Sequence, residues 1–153
     1  MANPVYLILP QVILAAEPPP GWSVDKSRKN PFYLLKNGEK YETARTLMYV
    51  RIEELDGPLH LAVENDERSF KSGCPGARIE DASQFEILEQ GCQRKTQIFH
   101  CEKQKGGWID LATKVSIQGL LLNVVLSADN EEEIARYRKD YEELLKHLGL
   151  VAH

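Results

Sequence analysis

The chain has little excess charge of either sign and no long apolar segment. Lys and Arg number 19 and Asp and Glu 23, so the 153 residues carry a net charge of −4 at pH 7. Because no basic field is present to attract phosphate groups, we expect no nucleic-acid partner. The most apolar run, LLLNVVLSA at 120–128, is too short to cross a bilayer, so we also expect no integral membrane segment. This composition predicts one globular domain.

Cysteine is scarce, with three residues in the chain and none of them in a CxxC pair. A structural zinc site needs four ligands at a recognisable spacing, so we expect neither a metal nor another cofactor. Cys74, Cys92 and Cys101 allow one disulfide with one thiol left over, and the sequence leaves the pairing open. A disulfide would favour an exported protein, whereas three free thiols would favour the cytoplasm.

The sequence also lacks the common catalytic motifs GxxxxGK, GxGxxG, GxSxG and HExxH. His100 and Cys101 are adjacent, but neighbours on a strand point to opposite faces and cannot serve one another. Glu53 and Asp56 belong to an acidic run that is typical of a solvated surface. We therefore expect a non-enzymatic protein. A small hydrolase that uses the surface carboxylates Glu53 and Asp56, or His100, is the alternative.

The N-terminal segment VYLILPQVILAA, residues 5–16, is strongly apolar. It has the length of a signal-peptide core, but no Lys or Arg precedes it, so the true N-terminus stays open. We interpret it as a strand broken at Pro10, which places it at a sheet edge or a bulge. An edge strand this apolar needs a partner, and a second copy of the chain is one candidate, which predicts a homodimer through this strand. The predicted organisation is an additional strand segment at 1–17 and a single domain at 18–153.

The C-terminal third has the clearest pattern, a buried strand at 120–128 followed by an amphipathic helix at 130–148. Asp129 and Glu132 have the spacing of a capping box at the start of the helix, and Gly149 stands where a C-terminal cap is expected. One helical face carries the apolar and aromatic residues Ile134, Tyr137, Tyr141, Leu144, Leu145 and Leu148. This pattern predicts a terminal helix lying across a sheet.

Alternating strands and one further helix, at 59–71, precede that region, so the order is strands, helix, four strands, helix. The fold class this order predicts is α+β, with a mainly antiparallel sheet and two principal helices packed on it.

The same order, together with Pro20-Gly21-Trp22 and the closing strand and helix at 120–148, resembles the superfamily that groups PsbP proteins with the Ran-binding Mog proteins. The resemblance covers about residues 20–149. It implies an α/β/α sandwich and a binding or assembly module, and it carries no functional residue across. Many small exported bacterial proteins share the pattern, so we expect a bacterial protein of the periplasm or the extracellular space. A cytoplasmic chaperone-like adaptor is a further alternative.

Aromatic residues near predicted turns and edge strands are the candidate binding residues, because exposed rings make good anchor points for a partner. The candidates are Trp22, Tyr33, Tyr49 and Trp108. We expect them to contact a protein partner or an apolar ligand. The opposing interpretation is that both tryptophans close the ends of the core.

Overall fold

The computed structural model describes residues 4–8, 13–88, 91–102 and 107–151. These ranges contain eleven strands and two helices. In chain order they are β1 (Val5–Ile8), β2 (Ile13–Ala16), β3 (Trp22–Asp25), β4 (Phe32–Lys36), β5 (Leu47–Glu54), α1 (Leu59–Gly73), β6 (Arg78–Asp81), β7 (Glu86–Ile87), β8 (Gln93–Cys101), β9 (Trp108–Ile117), β10 (Leu120–Ala128), α2 (Glu131–Lys146) and β11 (Gly149–Val151).

Eight of the described strands form one antiparallel sheet in the order β3-β4-β5-β10-β9-β8-β6, with β7 also paired to β8. The apolar strand β10 lies inside the sheet, between β5 and β9. This position explains why its side chains are apolar on both faces. Gln118 and Gly119 join β9 to β10 with positive φ angles of 51° and 76°. Two such residues in a two-residue loop are typical of a type I′ hairpin turn.

Strand alternation divides the side chains of the sheet between two faces, and α2 covers the first of them. The predicted helical stripe is confirmed, because Ile134, Tyr141 and Leu144 are buried against this face. The sheet contributes many apolar residues to the same core, among them Leu34, Met48, Val50, Leu111, Val124 and Leu126. This is the main hydrophobic core of the molecule.

The second face of the sheet is covered by α1. Leu59 and Val63 of this helix pack with Leu121 of β10. Phe70, one helical turn before its end, meets Phe99 of β8 at 5.1 Å between ring centroids. Helices therefore lie on both faces of an antiparallel sheet, and the predicted α+β sandwich class is confirmed.

The N-terminal segment does not form the single strand, broken at Pro10, that its sequence suggested. Its described parts are two antiparallel strands, β1 and β2, and β2 also pairs with β11 in a separate three-stranded sheet. Leu14 and Ala16 of β2 are fully buried in the main core. Pro10, where the break was predicted, lies outside the described residues.

Two further predictions about element ends and one about the number of strands are corrected. The N-cap of α2 is Asn130, whose side-chain oxygen accepts from the Glu133 backbone N–H at 2.9 Å, so the cap falls one residue after Asp129. Gly149 begins β11 and does not cap α2, which ends at Lys146. Five strands, not four, lie between the helices, because the short strands β6 and β7 both pair with β8. No helix in the described ranges is long and apolar enough to span a bilayer.

Candidate functional site

Trp22, the first of the four predicted binding residues, lies in the core with 6% of its surface exposed. Its ring meets Tyr137 of α2 edge-on at 5.5 Å, and its indole N–H donates to Asp140 Oδ2 at 2.9 Å. Because β3 is an edge strand, this contact ties the edge of the sheet to α2. The burial favours the interpretation that Trp22 closes one end of the core, since little of the ring is left for a partner to touch.

Tyr33 and Tyr49 lie directly opposite each other on β4 and β5, and strand alternation places both on the α1 side of the sheet. Their ring centroids are 5.8 Å apart. Tyr41, from the loop between these strands, packs against Tyr33 at 4.7 Å. All three rings are half-buried. The fold therefore brings two of the predicted residues together and adds a third tyrosine to them.

Two arginines complete this cluster. The Arg28 guanidinium carbon lies 3.9 Å from the centroid of the Tyr41 ring, and that of Arg51 lies 5.8 Å from the centroid of Tyr49. Their side chains are 37% and 44% exposed. We call these five residues, Arg28, Tyr33, Tyr41, Tyr49 and Arg51, the tyrosine surface. Because α1 packs over β8, β9 and β10, the tyrosine surface on β4 and β5 stays partly open to solvent.

The hydroxyls of Tyr33 and Tyr49 stay protonated in the physiological range, because the pKa of each is raised. Burial raises the pKa of Tyr49 above its ordinary value, and the nearby Asp110 carboxylate raises it further. Burial also raises the pKa of Tyr33, with a smaller contribution from Tyr41. Neutral hydroxyls can donate and accept hydrogen bonds, so the surface offers polar contacts beside its aromatic rings.

Trp108, the last predicted residue, begins β9 and lines a cleft of about 700 Å³ between the end of the sheet and the start of α2. We call it the His100 cleft. It is lined by Arg78, His100, Cys101, Glu102, Gly107, Trp108, Ile109 and residues 129–132. The fold therefore separates Trp108 from the tyrosine surface, and the four predicted residues do not form one site.

His100 is 4% exposed and lies on the α2 side of the sheet. Its Nδ1 is 3.3 Å from Arg78 Nη2, and its Nε2 is 3.4 Å from Glu80 Oε2. Cys101 points to the α1 side, as strand alternation predicted. It forms a disulfide with Cys74, at the end of α1, with 5.9 Å between the Cα atoms. Since its sulfur is held in this bond, Cys101 offers no thiol to a base.

Cys92 keeps a free thiol. It directly precedes β8, and Cys101 ends the same strand, so the two do not face each other across a hairpin. The whole length of β8 separates Cys92 from Cys101. The end of α1 instead brings Cys74 next to Cys101, and these two form the disulfide.

Asp110 on β9 is a site that sequence reasoning missed. Its Oδ1 is buried with no hydrogen-bond partner among the described residues. Burial raises the pKa of this carboxyl to about 6, and hydrogen bonds from Ser127 and Trp108 only partly oppose the shift. A single acidic residue inside the otherwise apolar WIDLA run was the available signal.

The residues proposed for hydrolase chemistry are not arranged for it. Glu53, at the end of β5, is 54% exposed and lies 3.9 Å from Arg51. Asp56 is exposed in the turn that follows. Within the described ranges, no group of three or more His, Cys, Asp or Glu side chains is arranged to hold a metal ion.

Comparison of this architecture with solved structures places it among known folds. The solution structure of cyanobacterial PsbP from Synechocystis sp. PCC 6803 superposes with a TM-score of 0.61 over 90% of this chain and 86% of that one, at 14% identity. The Ran-binding protein Mog1p of Saccharomyces cerevisiae superposes with a TM-score of 0.57 over 99% and 97%, at 10% identity. The fold is that of PsbP and Mog1. The predicted resemblance is thereby confirmed at the level of the fold.

The PsbP and Mog1 fold is shared by a Pseudomonas aeruginosa protein of unknown function described as a putative regulator, with a TM-score of 0.60 over 96% of each chain and 8% identity. No protein-family profile matches the chain, and no curated protein matches it in sequence. Identities this low relate the folds and assign no residue role.

Proposed function

We propose that this protein is a non-enzymatic binding module that engages a protein partner through the tyrosine surface. The observation that carries the proposal is the stack of three half-buried tyrosine rings flanked by two partly exposed guanidinium groups. Tyrosine and arginine are the residue types enriched at the centres of protein interfaces. The rings are already held in place by one another, so little side-chain entropy remains to be lost on binding.

The fold supports a protein partner over a small apolar ligand. The tyrosine surface lies on the face of two strands and is not enclosed, whereas small-molecule sites are concave. A solved structure with the same fold is that of a Ran-binding protein, which is a protein-binding role. The charges at the surface are mixed, since Arg28 pairs with Asp25 at 3.1 Å and Arg51 with Glu53 at 3.9 Å. Such a surface suits a partner that presents apolar and hydrogen-bonding groups.

The test is to recover partners with the full chain and with a variant that combines Tyr41→Ser and Arg51→Ser. Tyr41 lies in the loop between β4 and β5 and Arg51 is exposed on β5, so the variant keeps the core. A partner of the tyrosine surface binds the wild-type chain about tenfold or more tightly than the variant, measured by titration with the purified partner. The matched control is Phe85→Ser, an aromatic ring that is 44% exposed at the opposite edge of the sheet. A partner that loses affinity equally in the variant and in the control contradicts the proposal.

We also propose that the protein is exported, in a bacterium. The disulfide between Cys74 and Cys101 supports an oxidising compartment, the periplasm or the extracellular space, because cytoplasmic thiols are kept reduced. It weighs against the alternative of a cytoplasmic chaperone-like adaptor.

A homodimer is a second mode of assembly that one observation favours. β1 is the outer strand of its small sheet, and no other described strand pairs with its free edge. Tyr6 and Ile8 on this strand are 59% and 72% exposed. An apolar edge strand of this kind is a template for pairing with a second copy of the chain.

A further inference from the structure

A groove of about 400 Å³ lies between β1 and the end of β3, and we call it the edge groove. It is lined by Val5, Tyr6 and Ile8 of β1 and by residues 24–26, 28 and 29. Among the described strands, β1 is the outermost strand of the small sheet and β3 is an outermost strand of the large one. The edge groove therefore lies where the two sheets approach each other without pairing.

The edge groove borders a free strand edge on both sides. Val5 and Tyr6 point to opposite faces of β1, so a cavity that contacts both of them, and no described residue of β2, borders the edge that β2 leaves unpaired. Val24 and Asp25 are likewise neighbours on β3, and no described residue of β4 lines the groove. Each edge presents backbone N–H and C=O groups that an added strand can bond.

The charge of the edge groove is opposite to that of the whole chain. Its charged residues are the carboxylate of Asp25 and the cations Lys26, Arg28 and Lys29, whereas the chain has a net charge of −4. Arg28 is paired with Asp25 at 3.1 Å. Lys26 and Lys29 are exposed, and among the described residues neither has an ion-pair partner. Two ammonium groups are therefore available to carboxylates of a partner.

We propose that the edge groove binds an extended acidic segment of a partner protein, which adds as a strand to the free edge of β1. Carboxylates of the segment meet Lys26 and Lys29. Because side chains alternate along a strand, its other residues are apolar and contact Tyr6 and Ile8, which are exposed on β1. The proposal does not rest on the tyrosine surface, with which the edge groove shares only Arg28.

Two other occupants match the edge groove less well. An anionic lipid surface matches the charge of Lys26 and Lys29, but it has no row of N–H and C=O groups to pair with a strand edge. A second copy of β1, with the sequence VYLI, matches the edge but carries no carboxylate for the lysines. An acidic segment satisfies both requirements, and it excludes the homodimer because both use the same edge of β1.

The test is an NMR titration of the ¹⁵N-labelled full chain with the peptide acetyl-Thr-Glu-Val-Glu-Val-Glu-Thr-amide. The comparison probes are the same peptide with Lys in place of Glu, and vesicles of phosphatidylglycerol and phosphatidylcholine. The acidic peptide shifts the amide signals of residues 5–8 and 24–29, and the shifts weaken as salt is added. It also slows hydrogen exchange of the β1 amides. The Lys peptide and the vesicles leave these signals in place.

A pair of double variants tests the charges. Combining Lys26→Gln with Lys29→Gln removes both unpaired cations and weakens binding of the acidic peptide about fivefold or more. The matched control combines Lys71→Gln with Lys139→Gln, which makes the same charge change at exposed positions on α1 and α2 and leaves binding unchanged. Equal losses in the two double variants would show a response to net charge alone and overturn the proposal.

The variant that combines Tyr41→Ser and Arg51→Ser separates this proposal from that of the tyrosine surface. Neither residue lines the edge groove, so the variant binds the acidic peptide like wild type. Loss of peptide binding in this variant would place the peptide on the tyrosine surface and overturn the edge groove as its site.

The probes decide between the three occupants. The proposal is overturned if the acidic peptide does not shift the signals of residues 5–8 and 24–29, or if the Lys peptide or the vesicles shift them as far. It is equally overturned if the chain is a dimer through β1 in native mass spectrometry and the acidic peptide does not dissociate it.

Discussion

Asp110 shows how one side chain is changed by its place in the sheet. In water its carboxyl would be ionised at neutral pH, but here burial favours the uncharged form and raises the pKa to about 6. A carboxyl group whose pKa is higher in the folded chain than in the unfolded chain destabilises the fold when it is charged. Below about pH 4 both folded and unfolded chains hold the proton and no penalty exists, whereas above about pH 6 folding must bury the charge.

The substitution Asp110→Asn removes that charge and therefore changes how stability depends on pH. We expect the free energy of unfolding of the variant to rise relative to wild type between pH 4 and pH 7, by about 3 kcal/mol at most. Urea unfolding at several pH values in this range measures the difference. Asp25→Asn is the control that leaves this range nearly flat, because hydrogen bonds from Ser27 lower the pKa of Asp25 and place its contribution, of the opposite sign, below about pH 4. Parallel curves for wild type and Asp110→Asn would contradict the assignment.

At the scale of elements, the antiparallel pair of β1 and β2 combines two different surfaces. Along β2, Leu14 and Ala16 face the core and are fully buried. Along β1, Tyr6 and Ile8 alternate outward and remain exposed. Deleting the N-terminal segment would therefore remove core residues together with the free edge, and it would not test the homodimer cleanly.

Ile8→Lys tests the homodimer without touching the core, because a charge on an edge strand opposes pairing with another chain. If β1 pairs between copies, wild type is dimeric in native mass spectrometry and the variant is monomeric with the same circular dichroism spectrum. Ile87→Lys provides the matched control, since Ile87 is 79% exposed on β7 at the other edge. A monomeric wild type, or a dimer that persists in Ile8→Lys, removes the support for assembly through β1.

At the scale of the whole molecule, the disulfide joins two layers. Cys74 follows α1 and Cys101 ends β8, 27 residues later, so the bond fixes the end of the helix to the sheet. Cross-linking a loop of this length restricts the unfolded chain and is expected to contribute about 3.5 kcal/mol.

Replacing both residues, Cys74→Ala with Cys101→Ala, should lower the free energy of unfolding by about that amount, with Cys92→Ala as the control that changes little. Alkylation of the denatured protein, isolated from its native source without reductant, should label Cys92 alone by intact mass. Three labelled thiols in that sample would favour the cytoplasmic adaptor over the exported protein.

Much of the architecture could be predicted from sequence, because it depends on local periodicity. The apolar stripe from Ile134 to Leu148 predicted the helix α2, and the apolar run before it predicted the strand β10. The ends of elements were harder, since a cap such as Asn130 differs from its neighbour Asp129 only in the conformation of the backbone. The pairing of β1 with β2 was missed because the sequence is apolar almost throughout residues 5–16, which gives no contrast that would separate two strands.

The candidate site was only partly accessible to such reasoning. Tyr33 and Tyr49 were selected because they are aromatic and lie near predicted turns and edge strands. Nothing in the sequence shows that they pair across β4 and β5, or that Arg28 lies over Tyr41. Trp22 and Trp108 gave the same signal, yet one is buried against α2 and the other lines the His100 cleft.

The sequence by itself determined which segments form strands and helices and which of their faces are apolar, since these follow from spacing along the chain. It also determined that His100 and Cys101 face opposite ways. Only the tertiary structure decided which cysteines pair, which aromatic rings are exposed and how a buried carboxyl titrates. Those properties depend on contacts between residues far apart in the chain, and local periodicity carries no information about such distances.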